Sequence, residues 1–161
     1  TWRNAQTDVL RQSEEISPQA QAVYFRDRIW PDKAALEPAN ILLALERDGA
    51  MIGYGGLVHI AWDYGRAEIS FLLDKNLADD RTLLAETFSG WLRMMQGLAF
   101  DDLGLTRLTT ETYAMRRDHI SLLEAAGFVR EGVLRDHVRV RGAAMDAIVH
   151  GRLACDPEPG R

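Results

Sequence analysis

The last third of the chain alternates between strand-like and helix-like spacing of its apolar residues, and this alternation limits the folds that it can adopt. The pattern predicts a strand at residues 107–112, a helix at 117–126, and a closing hairpin whose strands are 129–140 and 144–153. Gly127 follows the predicted helix at the place where a left-handed residue commonly ends one. Arg141 and Gly142 form the turn of the hairpin. Together these elements predict a sheet with a helix packed on one face.

The upstream part of the chain shows two helical patterns, a strand meander and a long amphipathic helix. The predicted elements are helices at 2–12 and 18–30, strands at 41–46, 51–60 and 66–73, and a helix at 80–101. Ser17 lies before a proline and is expected to be a helix N-cap. Gly55 and Gly56 interrupt the second strand and indicate either a bulge or a close backbone approach. Pro31 and Pro38 are expected to bracket a loop.

These elements predict an α+β domain with a mixed, mostly antiparallel sheet flanked by helices. The chain has 161 residues, of which 47% are hydrophobic, and this is enough for one well-packed core. We therefore expect one domain over residues 1–153 and a C-terminal tail over residues 154–161, frayed from residue 156.

Composition and charge argue against several classes of partner. The net charge is −5 and the pI about 5.4, which disfavours binding to nucleic acid or to an anionic membrane. Cys155 is the single cysteine, and the four histidines lack the tight spacing of metal ligands, so no disulfide and no metal are expected. No membrane-spanning run and no leader peptide are visible. A cytoplasmic protein is therefore expected, and Thr1 in place of Met indicates processing, trimming or excision from a longer chain.

Several short motifs occur in the order in which one known family carries them. They are Trp2-Arg3-Asn4, the strand at 52–57, the run at 66–71, and Gly127-Phe128 followed by Glu131-Gly132, Arg135 and His137. By these motifs the chain resembles the GNAT superfamily of N-acetyltransferases, and within it the bacterial branch that acts on ribosomal-protein N-termini and amino sugars. The resemblance covers nearly the whole chain. It implies the GNAT fold with the usual first strand missing ahead of Trp2, as a truncated or processed N-terminus would leave it.

The resemblance also implies a donor, an acceptor and the residues that bind them. The donor would be acetyl-CoA, and the acceptor a small amine such as an amino sugar or its nucleotide-linked form. In the family a splayed strand offers backbone N–H groups to the donor, and the residues in that place here are Phe71, Leu72 and Leu73. The residues expected on the acceptor side are Trp2, Arg3, Asn4, His59 and Trp62.

The segment between the strand at 66–73 and the long helix departs from the family pattern. Relatives carry glycines there, which let backbone N–H groups approach the diphosphate of coenzyme A at a helix N-terminus. Residues 76–83 contain no glycine and include two adjacent carboxylates, Asp79 and Asp80. These carboxylates suit a helix N-terminus as caps, but they would repel a diphosphate. Arg81 and Thr82 are the neighbouring residues that are able to compensate.

The predicted helix at 117–126 lacks the tyrosine that protonates the leaving thiolate in relatives. Counting back from Gly127 places Leu123 at the tyrosine position. The same count places His119 and Arg116 where relatives carry alanine and asparagine. Because Leu123 cannot donate a proton, either another acid serves or the thiolate leaves unaided. Arg116 gains nothing from the helix dipole at a helix start, which favours binding of a ligand phosphate over a merely solvated position. We therefore expect Arg116, with Arg81 and Thr82, to bind coenzyme A.

Three residues are candidate acid–base groups for acyl transfer. Glu68 lies between apolar residues, where burial makes a carboxylate a stronger base, and a salt bridge to an arginine is the alternative. Tyr113, close to Glu111 at a strand end, is the candidate acid, with a packing role as the alternative. His119, near a helix start, is a candidate to accept a proton or bond a ligand, and a surface or capping role is the alternative.

Two functions of different classes follow from these observations. The first is an N-acyltransferase that uses acetyl-CoA or a related acyl thioester. The second is a GNAT-like domain without catalysis that serves in binding or assembly, as a homodimer or fused to a larger biosynthetic chain. The missing glycines and Leu123 favour the second. A thioester on a carrier protein is a third possibility, although Asp79 and Asp80 would repel an acidic carrier.

Overall fold

One six-stranded sheet organises the protein, whose residues 2–10 and 15–158 are described by a computed structural model. The strands are β1 (Ile41–Arg47), β2 (Ala50–Ala61), β3 (Arg66–Leu73), β4 (Arg107–Tyr113), β5 (Val129–Val140) and β6 (Ala143–Leu153). Their order across the sheet is β1-β2-β3-β4-β6-β5. The β3–β4 pair is parallel and the other pairs are antiparallel. The predicted α+β class with a mostly antiparallel sheet flanked by helices is confirmed.

Helices precede the sheet and connect its strands. They are a 3₁₀ segment (Asn4–Val9), α1 (Pro18–Tyr24), α2 (Trp30–Lys33), α3 (Lys75–Ala78), α4 (Arg81–Gly97) and α5 (Arg117–Ala125). A π-helical turn, Phe25–Ile29, joins α1 to α2, and a second, Leu98–Asp102, extends α4. The predicted helix at 2–12 is thus shorter and of 3₁₀ type, and its last two residues lie outside the described part of the chain. None of the described helices combines the length and apolar character needed to cross a membrane.

The first long helix begins as predicted but ends later. The Ser17 hydroxyl accepts a hydrogen bond from the Ala20 N–H at 3.1 Å, which confirms it as the N-cap. The helix then continues through Pro31 to Lys33, so the expected loop start at Pro31 is wrong. Proline is tolerated in the first turn of α2 because that turn requires no donor from it, and the preceding π-helical turn resets the hydrogen-bond pattern.

Gly55 and Gly56 allow β2 to lie unusually close to both of its neighbours. A Cβ on Gly55 would overlap the Ser70 carbonyl oxygen of β3 and lie 2.9 Å from the Phe71 Cα. A Cβ on Gly56, whose φ is +143°, would overlap the Ile41 carbonyl oxygen of β1. Of the two predicted explanations, close backbone approach is therefore correct at this pair. The irregularity in the β2–β3 register falls later, between Val58 and Ala61.

The long helix α4 covers one face of the sheet with the apolar stripe that its spacing predicts. Its buried residues are Leu84, Phe88, Trp91, Leu92 and Met95, and they pack with Leu57, Ile69, Leu73 and Leu108 of the sheet. The Trp91 indole N–H donates to the Ser70 carbonyl oxygen at 3.1 Å, which attaches the helix to β3. Trp91 and Met95 of this stripe are thus part of the core.

Two hydrogen bonds tie Ala154 and Pro157, beyond β6, to the domain. The Ala154 N–H donates to the Thr106 carbonyl oxygen at 3.0 Å. The buried Arg152 guanidinium donates to the Pro157 carbonyl oxygen at 3.0 Å. A buried arginine thus uses a carbonyl of the tail as its acceptor.

Candidate active site

The parallel strands β3 and β4 separate soon after they pair. Arg66–Glu68 is in register with Arg107–Thr109, and no later pairing joins the two strands in the described structure. The rings of Phe71 and Phe88 lie 4.8 Å apart, and the His119 ring lies 5.0 Å from that of Phe88. These rings fill the space between the diverging strands and α4. The divergence opens the sheet toward the N-terminal helices.

A cavity of about 500 Å³ lies at this opening. Its walls are the N-terminal helical segments, β2, β3, β4 and the start of α5. The polar and aromatic residues on its wall include Arg3, His59, Glu68, Phe71, Glu111, Tyr113, Arg116 and His119. Among the described residues, no group of three or more His, Cys, Asp and Glu side chains converges as metal ligands would.

All three candidate acid–base residues line this one cavity. Glu68 is half-buried on β3, at the last position that pairs with β4. Tyr113 ends β4 and is buried. Glu111, two residues before Tyr113, also lines the cavity, and its Oε1 lies 3.4 Å from the His137 Nε2 of β5. Two carboxylates and a phenol therefore face one space from neighbouring strands.

His119 is buried rather than on the surface, which corrects the surface or capping alternative. The residue is 9% exposed, and its Nε2 contacts the Arg116 guanidinium. Burial and then the Arg116 charge lower the pKa of His119 to about 3. The ring is therefore neutral at pH 7 and accepts from Arg116. So weak a base is a poor proton acceptor from an ammonium group, so the geometry favours a positioning role for His119.

The N-terminus of α4 is already occupied by a side chain. The Asp80 Oδ1 accepts from the Thr82 N–H at 2.9 Å and from the Leu83 N–H at 3.0 Å. Asp80 is therefore the predicted N-cap. Asp79 instead closes the short helix α3, which the sequence pattern did not reveal, because a single helical turn carries no periodicity. The donors that would meet a diphosphate at this helix start are thus used internally.

Arg81 and Thr82 lie outside the cavity wall. The Arg81 guanidinium donates to both Asp118 carboxylate oxygens, at 3.1 and 3.2 Å, and so joins the start of α4 to α5. Thr82 is exposed, and its N–H belongs to the Asp80 cap. Their expected contact with a diphosphate stays a prediction, and for Arg81 it would require breaking an exposed ion pair.

Of the three residues predicted to offer backbone groups on β3, Phe71 lines the cavity. The side chains of Leu72 and Leu73 are buried in the protein. The Leu73 carbonyl oxygen accepts from the Gln6 Nε2 at 2.8 Å. No pattern in the sequence marks Gln6, because its partner lies 67 residues further along the chain.

The residues expected on the acceptor side are divided between the cavity and the scaffold. Arg3 and His59 line the cavity, whereas Trp2, Asn4 and Trp62 do not. Asn4 exchanges two hydrogen bonds of 3.0 Å with the Ile16 backbone, and the Trp62 indole N–H donates to the Pro38 carbonyl oxygen at 3.0 Å. Asn4 and Trp62 thus hold the cavity wall from behind.

Arg3 also affects a tyrosine that the sequence did not single out. Burial raises the pKa of the Tyr54 hydroxyl, and the nearby Arg3 charge opposes that rise. Tyr54 lies on β2 and lines the same cavity. Its position between two glycines identifies it as a residue of a tightly packed strand but does not show which face it occupies.

Comparison with known families identifies the domain. A family model described as an acetyltransferase (GNAT) domain matches residues 1–149. No curated protein sequence matches the chain at a significant level.

Solved structures share the fold. One, described as a probable acetyltransferase, is 25% identical, with a TM-score of 0.67, and the match covers 82% of this chain and 73% of that one. The spermidine N-acetyltransferase of Vibrio cholerae, solved with CoA and spermine, is 17% identical, with a TM-score of 0.77 and coverage of 96% and 87%. A protein to which phosphinothricin N-acetyltransferase activity is ascribed is 18% identical, with a TM-score of 0.73 and coverage of 96% and 88%.

Proposed function

Because the chain belongs to the GNAT acetyltransferase family, we propose that it is an N-acetyltransferase that uses acetyl-CoA to acetylate a small amine. The observation that supports this most directly is the cavity between the diverging strands β3 and β4. A carboxylate and a phenol, those of Glu68 and Tyr113, line that cavity. These are the groups that acyl transfer requires at its two ends.

Glu68 and Tyr113 are the residues to which we assign proton transfer. The bound thioester supplies the activated acyl group. Glu68 takes a proton from the acceptor ammonium, so that the amine becomes a nucleophile. Tyr113 donates its hydroxyl proton to the leaving sulfur as the carbon–sulfur bond breaks, and its phenolate then takes the second proton from the acylated nitrogen. Leu123, at the tyrosine position of the family, is buried in the core and has no proton to donate. His119 keeps Arg116 in place and takes no proton at neutral pH.

The donor site fits one end of coenzyme A better than the other. The opening beside β3 can receive the thioester arm, because β4 does not cover the backbone of β3 beyond Glu68 in the described structure. The start of α4 does not fit the diphosphate in the usual way, because Asp80 accepts from the Thr82 and Leu83 N–H groups. We therefore propose that thioester-arm contacts dominate donor affinity.

Replacing the two candidate residues tests the assignment. We expect Glu68→Gln and Tyr113→Phe each to lower kcat by about 100- to 10,000-fold, because each removes one proton-transfer group. The measurement is thiol release from acetyl-CoA, read with a thiol reagent over a panel of amines. Glu86→Gln, which removes an exposed carboxylate from α4, is the matched control and should keep wild-type rates. Full activity in both cavity variants would refute the assignment.

The panel should distinguish several kinds of acceptor. Our first candidate is an amino sugar or its nucleotide-linked form, because the cavity combines aromatic rings with polar side chains of both charges. Spermine is the competing candidate, since the Vibrio cholerae protein of the same fold was solved with it. The sugar proposal fails if polyamines are acetylated and amino sugars are not.

The Asp80 cap gives a separate prediction about the donor. Asp80→Ala should tighten acetyl-CoA binding by roughly 5-fold, because it removes a charge and releases two N–H groups at a helix start. The same change should lower the unfolding free energy by about 1 kcal/mol, because the helix loses its cap. Calorimetric titration at low salt measures the first effect, and urea unfolding measures the second.

Asp79→Ala is the matched control for this prediction. It removes a neighbouring carboxylate but leaves the cap and its two hydrogen bonds in place. We expect Asp79→Ala to change both the acetyl-CoA affinity and the unfolding free energy less than Asp80→Ala does. Equal acetyl-CoA affinity in wild type and Asp80→Ala would place the diphosphate away from the α4 N-terminus.

The alternative is a domain that keeps the fold without the chemistry. The features that favour it are the occupied helix start at Asp80 and the buried Leu123 in place of a tyrosine. In this case the protein binds a ligand or a partner chain and transfers nothing. Thiol release with any amine, lost on Glu68→Gln, would exclude this alternative.

A further inference from the structure

Arg116 holds a positive charge on the cavity wall in a well-defined position. It lies at the junction of β4 and α5, where its N–H donates to the Tyr113 carbonyl oxygen at 2.9 Å. Its own carbonyl oxygen accepts from the Ile120 N–H at 3.1 Å. Its guanidinium contacts the His119 Nε2. The backbone is thus held on both sides, and the buried imidazole orients the guanidinium.

The charge of Arg116 lacks the compensation that its surroundings call for. A guanidinium carries five N–H donors. Its partner His119 is neutral at pH 7, and among the described residues no carboxylate pairs with it. Burial lowers the pKa of Arg116 to about 10, so the group still stays charged at neutral pH. A largely buried cation without a counter-charge is unfavourable unless a ligand supplies one.

Three other arginines of the chain have the carboxylate partner that Arg116 lacks among the residues that the structure describes. Each has a carboxylate partner in direct contact: Arg81 with Asp118, Arg107 with Glu131, and Arg141 with Asp8. Those pairs do not line the cavity. Arg116, on the cavity wall, contacts the uncharged ring of His119 instead.

We propose that Arg116 binds an anionic group of the acceptor, so that the acceptor is an amine that also carries a carboxylate or a phosphate. This inference rests on the proposed function. Both anions can accept two parallel hydrogen bonds from a guanidinium. Glu68 and Glu111 line the same cavity from β3 and β4, so an acceptor with an ammonium and an anionic group matches the wall in both charges. A polyamine would bring only positive charge to Arg116.

The first experiment measures anion binding without any catalysis. Thermal unfolding is followed in sodium chloride, sodium acetate and sodium phosphate at constant ionic strength. Acetate or phosphate should raise the Tm of the wild type in a concentration-dependent way, because a ligand that binds the folded state stabilises it. The effect should be absent in Arg116→Gln and partly kept in Arg116→Lys, which retains the charge without the planar fork. Arg117→Gln, which removes an exposed neighbouring charge, should behave as the wild type.

The second experiment identifies which ligand carries the anion. Calorimetric titration compares glucosamine 6-phosphate with glucosamine, and L-phenylalanine with its amide, so that each pair differs in the anionic group. We expect the anionic member of at least one pair to bind roughly 10- to 100-fold more tightly, as a charged hydrogen bond would provide. That preference should disappear in Arg116→Gln and remain in Arg117→Gln.

Three results would overturn the inference. One is a wild type whose Tm does not respond to acetate or phosphate. Another is equal affinity for both members of each pair. The third is a variant Arg116→Gln that loses affinity for acetyl-CoA alone, which would assign the anion to the donor. Anion binding through Arg116 without thiol release for any amine would instead refute the proposed function and leave the anion site standing.

Discussion

Gly55→Ala should destabilise the protein by about 3 kcal/mol or more, because overpacking against backbone cannot be relieved by a rotamer change. The added Cβ would overlap the Ser70 carbonyl oxygen and lie 2.8 Å from the Ser70 carbonyl carbon. These are backbone atoms of β3, the strand that carries Glu68 and Phe71 into the cavity. Relief would therefore require β2 and β3 to separate. Urea unfolding measures the loss in free energy.

Gly132→Ala is the matched control for Gly55→Ala. Gly132 also lies in a strand, has no positive φ, and has no atom within 4 Å of the position that a Cβ would take. Its substitution should change the unfolding free energy by about 0.5 kcal/mol or less, as for other open positions. Similar losses in the two variants would show that strand propensity, and not the close approach of β2 to β3, explains the requirement for glycine.

The folded protein should lose stability in acid partly through His119. Its pKa is about 6.5 in the unfolded chain and about 3 in the folded protein, because burial and Arg116 disfavour the charged ring. Between these values the unfolded state binds a proton that the folded state does not. The contribution of the neutral ring to the free energy of unfolding is thus complete above pH 6.5 and is lost as the pH falls toward 3. Between pH 6 and pH 4 the loss should be about 2 kcal/mol.

The comparison with His119→Gln isolates this contribution. The glutamine oxygen can still accept from Arg116 but does not titrate, so the variant should lose about 2 kcal/mol less than the wild type between pH 6 and pH 4. Urea unfolding at each pH gives both values. Equal slopes for wild type and His119→Gln would mean that His119 takes up its proton in the folded state without cost.

Local patterns predicted the elements well where short-range physics decides them. The bounds of β3 and β5 and the capping of α1 by Ser17 were confirmed, because alternation and capping depend on residues a few positions apart. The prediction failed at Pro31 and at α3. A π-helical turn and a single helical turn leave no periodic signal, so neither could be recognised from spacing.

The candidate site was only partly accessible to the same reasoning. Glu68, Tyr113 and Arg116 could be singled out because their chemistry is unusual for their local pattern. The contact of Arg116 with His119 lies within one helical turn, yet its significance comes from burial by Phe88 of another helix. Burial lowers the pKa of both residues and makes the candidate base His119 a neutral hydrogen-bond acceptor.

The sequence by itself determined the order of the six strands, α4 and α5, the family, and the loss of the glycine loop before α4, because each depends on residue identity and near neighbours. Only the tertiary structure decided which candidates share a cavity and what occupies the start of α4. The hydrogen bond from Gln6 to Leu73 and the pairing of Arg81 with Asp118 join residues far apart in the chain. Such contacts form because the packed sheet brings these residues together, and the spacing of neighbouring residues in the sequence does not predict them.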